Sequence, residues 1–167
     1  MSKRFVSSIL ALLLLLCGCA SKNVEGEIIP IGKQEEVDVS QQVAIAEEIM
    51  ETLGNTDDMT RIKDRMMIGM LMDGDTDVIT GGVLYLSKDE TSADAIGVFD
   101  TDDLETCRSH VSDYLSDQKL KAEYYNADEA FKVFNAVLVD DGKHRVILII
   151  SKEIAKAQRI ADQLLQE

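Results

Sequence analysis

Two short runs in this chain have the residue types and spacing to do chemistry, one acidic and one close to the N-terminus. Asp73-Gly74-Asp75-Thr76-Asp77 sets carboxylates at alternate positions. The first three ligands of a calcium loop are set the same way, and hard oxygens suit that ion. The imitation then stops. The sixth position is Val78 where such a loop needs glycine, and the twelfth is Leu84 where it needs a bidentate glutamate. The expectation is a solvated acidic loop before a strand, with no more than weak, charge-driven calcium attraction at Asp73, Asp75 and Asp77. The second run, Leu16-Cys17-Gly18-Cys19, closes a short apolar stretch. It has the form of a lipobox, in which cleavage before a cysteine is coupled to thioether attachment of lipid to its thiol.

The remaining reactive side chains point to no reaction. His110 and His144 have no metal-ligand partner at helical spacing, and the chain lacks His-Glu-x-x-His, Gly-x-Ser-x-Gly and Cys-x-x-Cys. Gly81-Gly82 enters a strand and forms no phosphate loop. A Ser-His-Asp arrangement assembled from distant positions stays open, because triads are spatial objects. Met50, Met59, Met66, Met67, Met70 and Met72 could offer thioethers to Cu(I) or line an adaptable apolar groove. Their helical spacing favours ordinary core filling. Cys107 falls in line with Leu104, Val111, Tyr114 and Leu115 on one helix face, the place of a buried, inert thiol. No catalytic, cofactor-binding or firm metal residue emerges.

The N-terminal run fixes an address. Lys3 and Arg4 make a positive n-region and Ile9–Leu16 an apolar core, too short for a bilayer that needs ~20 apolar residues. Gly18 supplies the small residue before the cut, so residues 1–18 are expected to leave as a lipoprotein signal peptide and Cys19 to carry the lipid. An ordinary signal peptide or a short membrane anchor is the plainer alternative. Cleavage before Cys17 would put bulky Leu16 at the scissile position, which favours Cys19. Attachment is then to the outer face of the cytoplasmic membrane. With Cys17 gone and Cys19 acylated, Cys107 has no thiol partner for an internal disulfide. Losing Lys3 and Arg4 lowers the basic residues from 17 to 15 against 31 acidic ones, a net charge of −16. Such a surface repels nucleic acid and anionic lipid, leaving the acyl chains as the membrane contact.

The elements that must position any site follow from pattern changes. Ala20 to Val39 lacks an apolar period and holds the only proline, Pro30. It reads with Cys19 as a flexible tether, residues 19–39, spanning ~25 Å on average. Residues 40–167 suffice for one domain. An Asp38/Gln41 capping box predicts a helix with Val43, Ala46, Ile49, Met50 and Leu53 inward, stopped by Gly54 and Asn55. A second helix is predicted over Met59–Leu71, with Met59, Ile62, Met66 and Met70 aligned. Strands follow at 78–87 and 95–100, then a helix from Thr101 to about Tyr124 with acids first and Lys119 and Lys121 last. Ala136–Val139 and Arg145–Ile150 flank a hairpin turn, and Ser151 is placed to cap a last helix burying Ile154, Ala157, Ala161 and Leu164.

Strand–turn–strand–helix thus occurs twice, by duplication or by chance recurrence. The fold class expected is α+β: a four-stranded, mainly antiparallel sheet made of two strand–strand–helix units, with helices covering one face. One or two N-terminal helices precede it. The arrangement resembles a family of small lipoproteins of Gram-positive bacteria catalogued only as a domain of unknown function. Val43–Ile49, Ala93–Phe99, Asn135–Val139 and Gly142 carry the likeness, over residues 40–166. That family has no established catalytic residues, so the resemblance transfers none, and no cofactor is expected from the residues themselves. A lipid-anchored binding or interaction module for an envelope protein or ligand is therefore expected. The alternative is an extracytoplasmic hydrolase of cell-wall or small substrates, which would show a histidine or serine meeting a carboxylate in a pocket.

Overall fold

The computed structural model describes residues 37–122, 124 and 126–166. The leader, Cys19 and most of the expected tether lie outside the described residues. The first helix, α1 (Ser40–Leu53), buries Gln42, Ala46, Ile49, Met50 and Leu53 at helical spacing. It stops where expected: Gly54 takes φ 73° and Asn55 N–H donates to the Met50 carbonyl at 3.1 Å, a glycine-dependent C-cap. The capping box does not form. Val39 occupies the N-cap, Asp38 accepts instead from Ser40 N–H at 3.0 Å, and Gln41 is exposed.

The single helix expected over Met59–Leu71 is two elements. A 3-10 turn at Thr56–Asp58 leads into strand β1 (Met59–Arg61), and helix α2 (Asp64–Leu71) starts only after extended Lys63, φ −64° and ψ 140°. The apparent methionine stripe is split accordingly. Met59 is 5% exposed from a strand, Met67 and Leu71 are the buried helix residues, and Met66 and Met70 face outward. Backbone pairing of Met59–Arg61 with Ser87–Tyr85 outweighs the helical spacing of the side chains.

Four further strands complete one sheet: β2 (Gly81–Ser87), β3 (Ala95–Asp100), β4 (Val137–Asp140) and β5 (Arg145–Ile150). The order is β1-β2-β3-β5-β4, with every neighbour antiparallel. The two expected hairpins do share a sheet, joined through β3 and β5, but β1 makes it five-stranded. Three more helices follow the strands: α3 (Leu104–Ala122), α4 (Ala127–Phe134) and α5 (Ile154–Leu164). Asp103 caps α3, accepting from Thr106 N–H at 3.1 Å. Ser151 accepts from Glu153 N–H ahead of α5, whose N-cap is Glu153. Ile160 joins the inward face of α5, and Ile154 stays half-buried.

The helices cover both faces of the sheet, which corrects the expectation of one. Leu84, Ala95, Phe99, Val146, Leu148 and Ile150 pack with α2, α3 and α4. Val83, Ile96, Val98, Ile147 and Ile149 pack with α1 and α5. A strand such as Val146–Ile150, apolar at every position, has no face to give to water. At the far end of β3, Asp100 receives a two-pronged bond from Arg145, 2.6 and 2.8 Å, and a third from Gln42 Nε2 at 2.8 Å. That network fastens α1 to the sheet. Gly81 lets Gln42 come close, since a Cβ there would stand 3.2 Å from Nε2.

Candidate functional site

At the other end of β3 a cleft of about 330 Å³ opens between α2, the β2–β3 loop and the second half of α3. Met70, Leu86, Tyr114 and Ala122 give it an apolar wall, while Asp89, Glu90, Ser92 and Asp94 from the loop face Gln118 and Lys121. The loop holds its shape through its own short side chains. Asp89 Oδ1 accepts from Thr91 N–H at 2.9 Å and Thr91 Oγ at 2.7 Å, and Ser87 Oγ accepts from Asp89 N–H at 3.1 Å. The Thr91 hydroxyl and amide hold the Asp89 carboxyl below its usual value.

Behind the loop lies a buried ionic cluster supplied by α4. Asn126 caps that helix, its Oδ1 accepting from Asp128 and Glu129 N–H, both at 3.0 Å. The cap sets Glu129 and Lys132 inward. Lys132 Nζ lies 3.0 Å from Glu129 Oε1, 3.1 Å from Asp94 Oδ2 and 3.1 Å from Ser92 Oγ. Glu129 Oε2 accepts from Ala93 N–H at 2.7 Å and so anchors the loop. Burial works to lower the Lys132 pKa, but bonds to Glu129 and Asp94 outweigh it and leave the pKa raised. Asp94 Oδ1 is closed to water and has no donor among the described residues.

Ser92 and Lys132 have the separation of a serine–lysine pair but not its chemistry. Such a pair needs a neutral amine to take the hydroxyl proton, and two carboxylates keep this amine charged. Ser92 Oγ donates at 2.9 Å to Asp94 Oδ2, the oxygen that Lys132 already holds. The cluster is an internal ion pair that holds the loop, and its amine is not free to activate Ser92.

The residues singled out from sequence fall elsewhere. Asp73 sits at φ 49° and Gly74 at φ 84° in the α2–β2 connection. Asp75 Oδ1 accepts from Asp77 N–H at 2.9 Å and Asp77 Oδ1 from the Thr76 hydroxyl at 3.4 Å, so two of the three carboxylates bond their own loop. No group of three or more His, Cys, Asp or Glu side chains that could hold a metal occurs among the described residues. His144 Nδ1 is 3.1 Å from Asp141 Oδ2 in the β4–β5 turn, on an exposed ring. Burial opposes ionisation of Asp141, yet backbone N–H groups of Arg145, Lys143 and His144 lower its pKa to about 2. This carboxylate organises a turn. Cys107 is fully buried, its pKa pushed up to about 12 by burial and then by the Asp103 and Asp100 charges. Met50, Met59, Met67 and Met72 fill core, and of the exposed pair Met66 and Met70 only Met70 reaches the cleft.

Sequence reasoning missed Lys132 and Glu129 because α4 buries them, at 7% and 9% exposure, beside Val133, while Phe131 and Phe134 stand 55% exposed. The available signal was the Asn126 cap followed by Asp128 and Glu129. No protein-family model matches the chain, and no curated protein or solved structure shows significant similarity to it.

Proposed function

We propose that the protein is a lipoprotein, anchored through Cys19 at the outer face of the cytoplasmic membrane, and acts as a binding module. Its ligand, a small molecule or a segment of an envelope protein, enters the cleft between α2, the β2–β3 loop and α3. The observation that carries this reading is the cleft itself, open, part apolar and part polar, with its loop wall fixed by Glu129 and Lys132. Sites for small ligands have that mixture, a mostly apolar lining with a few placed polar groups. The hydrolase alternative gains little here, because of the two serines lining the cleft Ser92 faces a charged lysine and Ser87 accepts from the Asp89 amide. The lipobox pattern and the resemblance to small Gram-positive lipoproteins support the address.

Two measurements test it. Cys19→Ala is expected to release the protein from membranes, and Cys17→Ala is not; a Cys19→Ala chain that stays lipidated would overturn the address. A photo-crosslinking residue at Gln118, on the cleft rim, is expected to trap a ligand or partner that one at Lys156, exposed on α5, does not. Identical adducts from both positions would defeat the cleft as the binding site.

A further inference from the structure

We propose that the outward face of α4, with Phe131 and Phe134 at its centre, lies against the lipid surface to which the chain is anchored. This goes beyond the cleft and rests on the Cys19 address. Four of the seven large apolar side chains left exposed among the described residues are Leu120, Tyr124, Phe131 and Phe134, at 55% to 90% exposure. Phe131 and Phe134 stand three apart and so share one side of α4. The helix keeps them out while burying Glu129 and Lys132 beside Val133, although burying charge is the costlier choice. α3 packs against α4, and its Leu120 points away from the buried Val111, Leu115 and Ala122. The acidity of the chain is interrupted here. In residues 119–135 the charges that reach water among the described residues are Lys119, Lys121 and Asp128, two bases against one acid in a chain of net charge −14.

Chain length and geometry favour a bilayer over a second copy as the occupant. α4 lies at the Ala95 end of β3, where Glu129 and Lys132 hold Ala93 and Asp94. Val37, where the tether enters the domain, lies at the other end. It stands beside Gly81, whose added Cβ would meet it at 3.6 Å, and Gly81 pairs with Asp100. β3 is six residues long, about 20 Å. With the α4 end of the sheet down, Val37 is therefore about 20 Å above the lipid. A coil running from Cys19 to Val37 spans ~25 Å on average, so this posture needs no stretching. Area argues the same way. At these exposures the four side chains offer roughly 500 Å², short of the ~800 Å² per partner of a stable protein interface. A contact too weak to hold free partners still holds where an anchor keeps the surface within reach. Phenylalanine and leucine suit the acyl boundary, and tyrosine the headgroup level.

The chain has no tryptophan, so Phe131→Trp reports on this face alone. The lipidated full chain is reconstituted into vesicles of phosphatidylglycerol and phosphatidylcholine in equal parts, with bromine on the acyl chains as quencher. Emission from Phe131→Trp is expected to shift to shorter wavelength. It should be quenched several-fold more than that from Lys156→Trp, on α5 across the sheet. Phe134→Trp, read the same way, guards against a folding fault in one variant. Quenching should hold or rise with added salt, because screening relieves the repulsion between an acidic domain and anionic lipid. Equal quenching from the Phe131 and Lys156 positions overturns the docking. Quenching lost on adding salt shows adsorption through Lys119 and Lys121 and overturns the apolar contact. A blue shift that grows with protein density but resists bromine assigns the face to a second copy and overturns the lipid. Intact mass and vesicle flotation of the same samples test the address separately. An unlipidated chain that does not float defeats the anchor and the docking with it; a lipidated, floating chain whose tryptophan is unquenched defeats the docking alone.

Discussion

Lys132→Met removes the single positive charge in the cluster behind the cleft while keeping most of the side-chain volume. The ammonium is about 3 Å from each of two carboxylates, with side chains 9%, 12% and 23% exposed for Lys132, Glu129 and Asp94. At an effective dielectric of about 20 each contact is worth roughly 5 kcal/mol before desolvation is subtracted. Taking one partner from a buried pair typically costs about 3–5 kcal/mol, chiefly because the other charge is stranded. Asp94 keeps some access to water, so the expected loss is about 2–3 kcal/mol at pH 7. The pH dependence carries the diagnosis. The Lys132 pKa is raised in the fold above the ordinary lysine value of 10.5. Its stabilisation is therefore complete below that value and is lost only as pH rises through the higher folded pKa. The wild type gains no pH dependence from this lysine between pH 4 and 9. The deficit of the variant should therefore narrow only as pH rises past 10.5, where the wild type loses the same charge. Urea unfolding of both proteins at pH 7 and again between pH 9 and 11 measures it. A deficit under about 1 kcal/mol at pH 7 would refute the stranded-charge argument. Adding Glu129→Gln to Lys132→Met should recover part of the loss, a non-additivity expected only if the two side chains interact.

Other outcomes follow from the same structure. Asp141→Ala should cost about 1–2 kcal/mol at neutral pH. The Asp141 pKa is depressed from 3.8 to about 2, so its contribution is present above pH 3.8 and lost as pH falls through 2; acid-unfolding curves of wild type and variant should converge there. Cys107, its thiol pushed up to about 12, should label in the folded protein at pH 8 on the order of a hundredfold more slowly than after unfolding, followed by peptide mass. Gly97→Ala should destabilise by about 1–3 kcal/mol, because the new Cβ would stand 2.5 Å from the fully buried Phe99 ring. Gly69→Ala, with nothing within 4 Å and a helical position in α2, should instead stabilise by about 0.5–1 kcal/mol.

Much of the fold was legible where the deciding information is local. The α1 stripe with its Gly54 stop, both hairpins, and the Asp103 start of α3 each follow from residues within a few positions of one another. β1 was not legible because its evidence is not local. Met59–Arg61 pairs with Ser87–Tyr85 on a strand more than twenty residues away, and three residues are too few to show a period. Nor could the pattern say on which face a helix lies. β5 is apolar at successive positions, so both faces demand cover, and the sequence of either hairpin is silent on whether its helix goes above or below.

The candidate site was illegible for a related reason, and its composition explains why. The Asp73–Asp77 run stands out in the sequence because its carboxylates are close along the chain, yet one of them bonds a neighbouring amide. The cluster that the fold assembles draws Ser92 and Asp94 from a hairpin loop and Lys132 from a helix 40 and 38 residues on. No spacing rule joins them. In α4 Glu129 and Lys132 turn inward beside Val133 while two phenylalanines stay outside, an arrangement that has no reason until the sheet supplies the loop it faces. Ala93–Phe99, the segment on which the family resemblance partly rests, contributes Asp94 to this cluster. A packing motif and a buried ionic anchor thus share one stretch of chain, with Lys132 holding the Asp94 carboxylate from behind the loop.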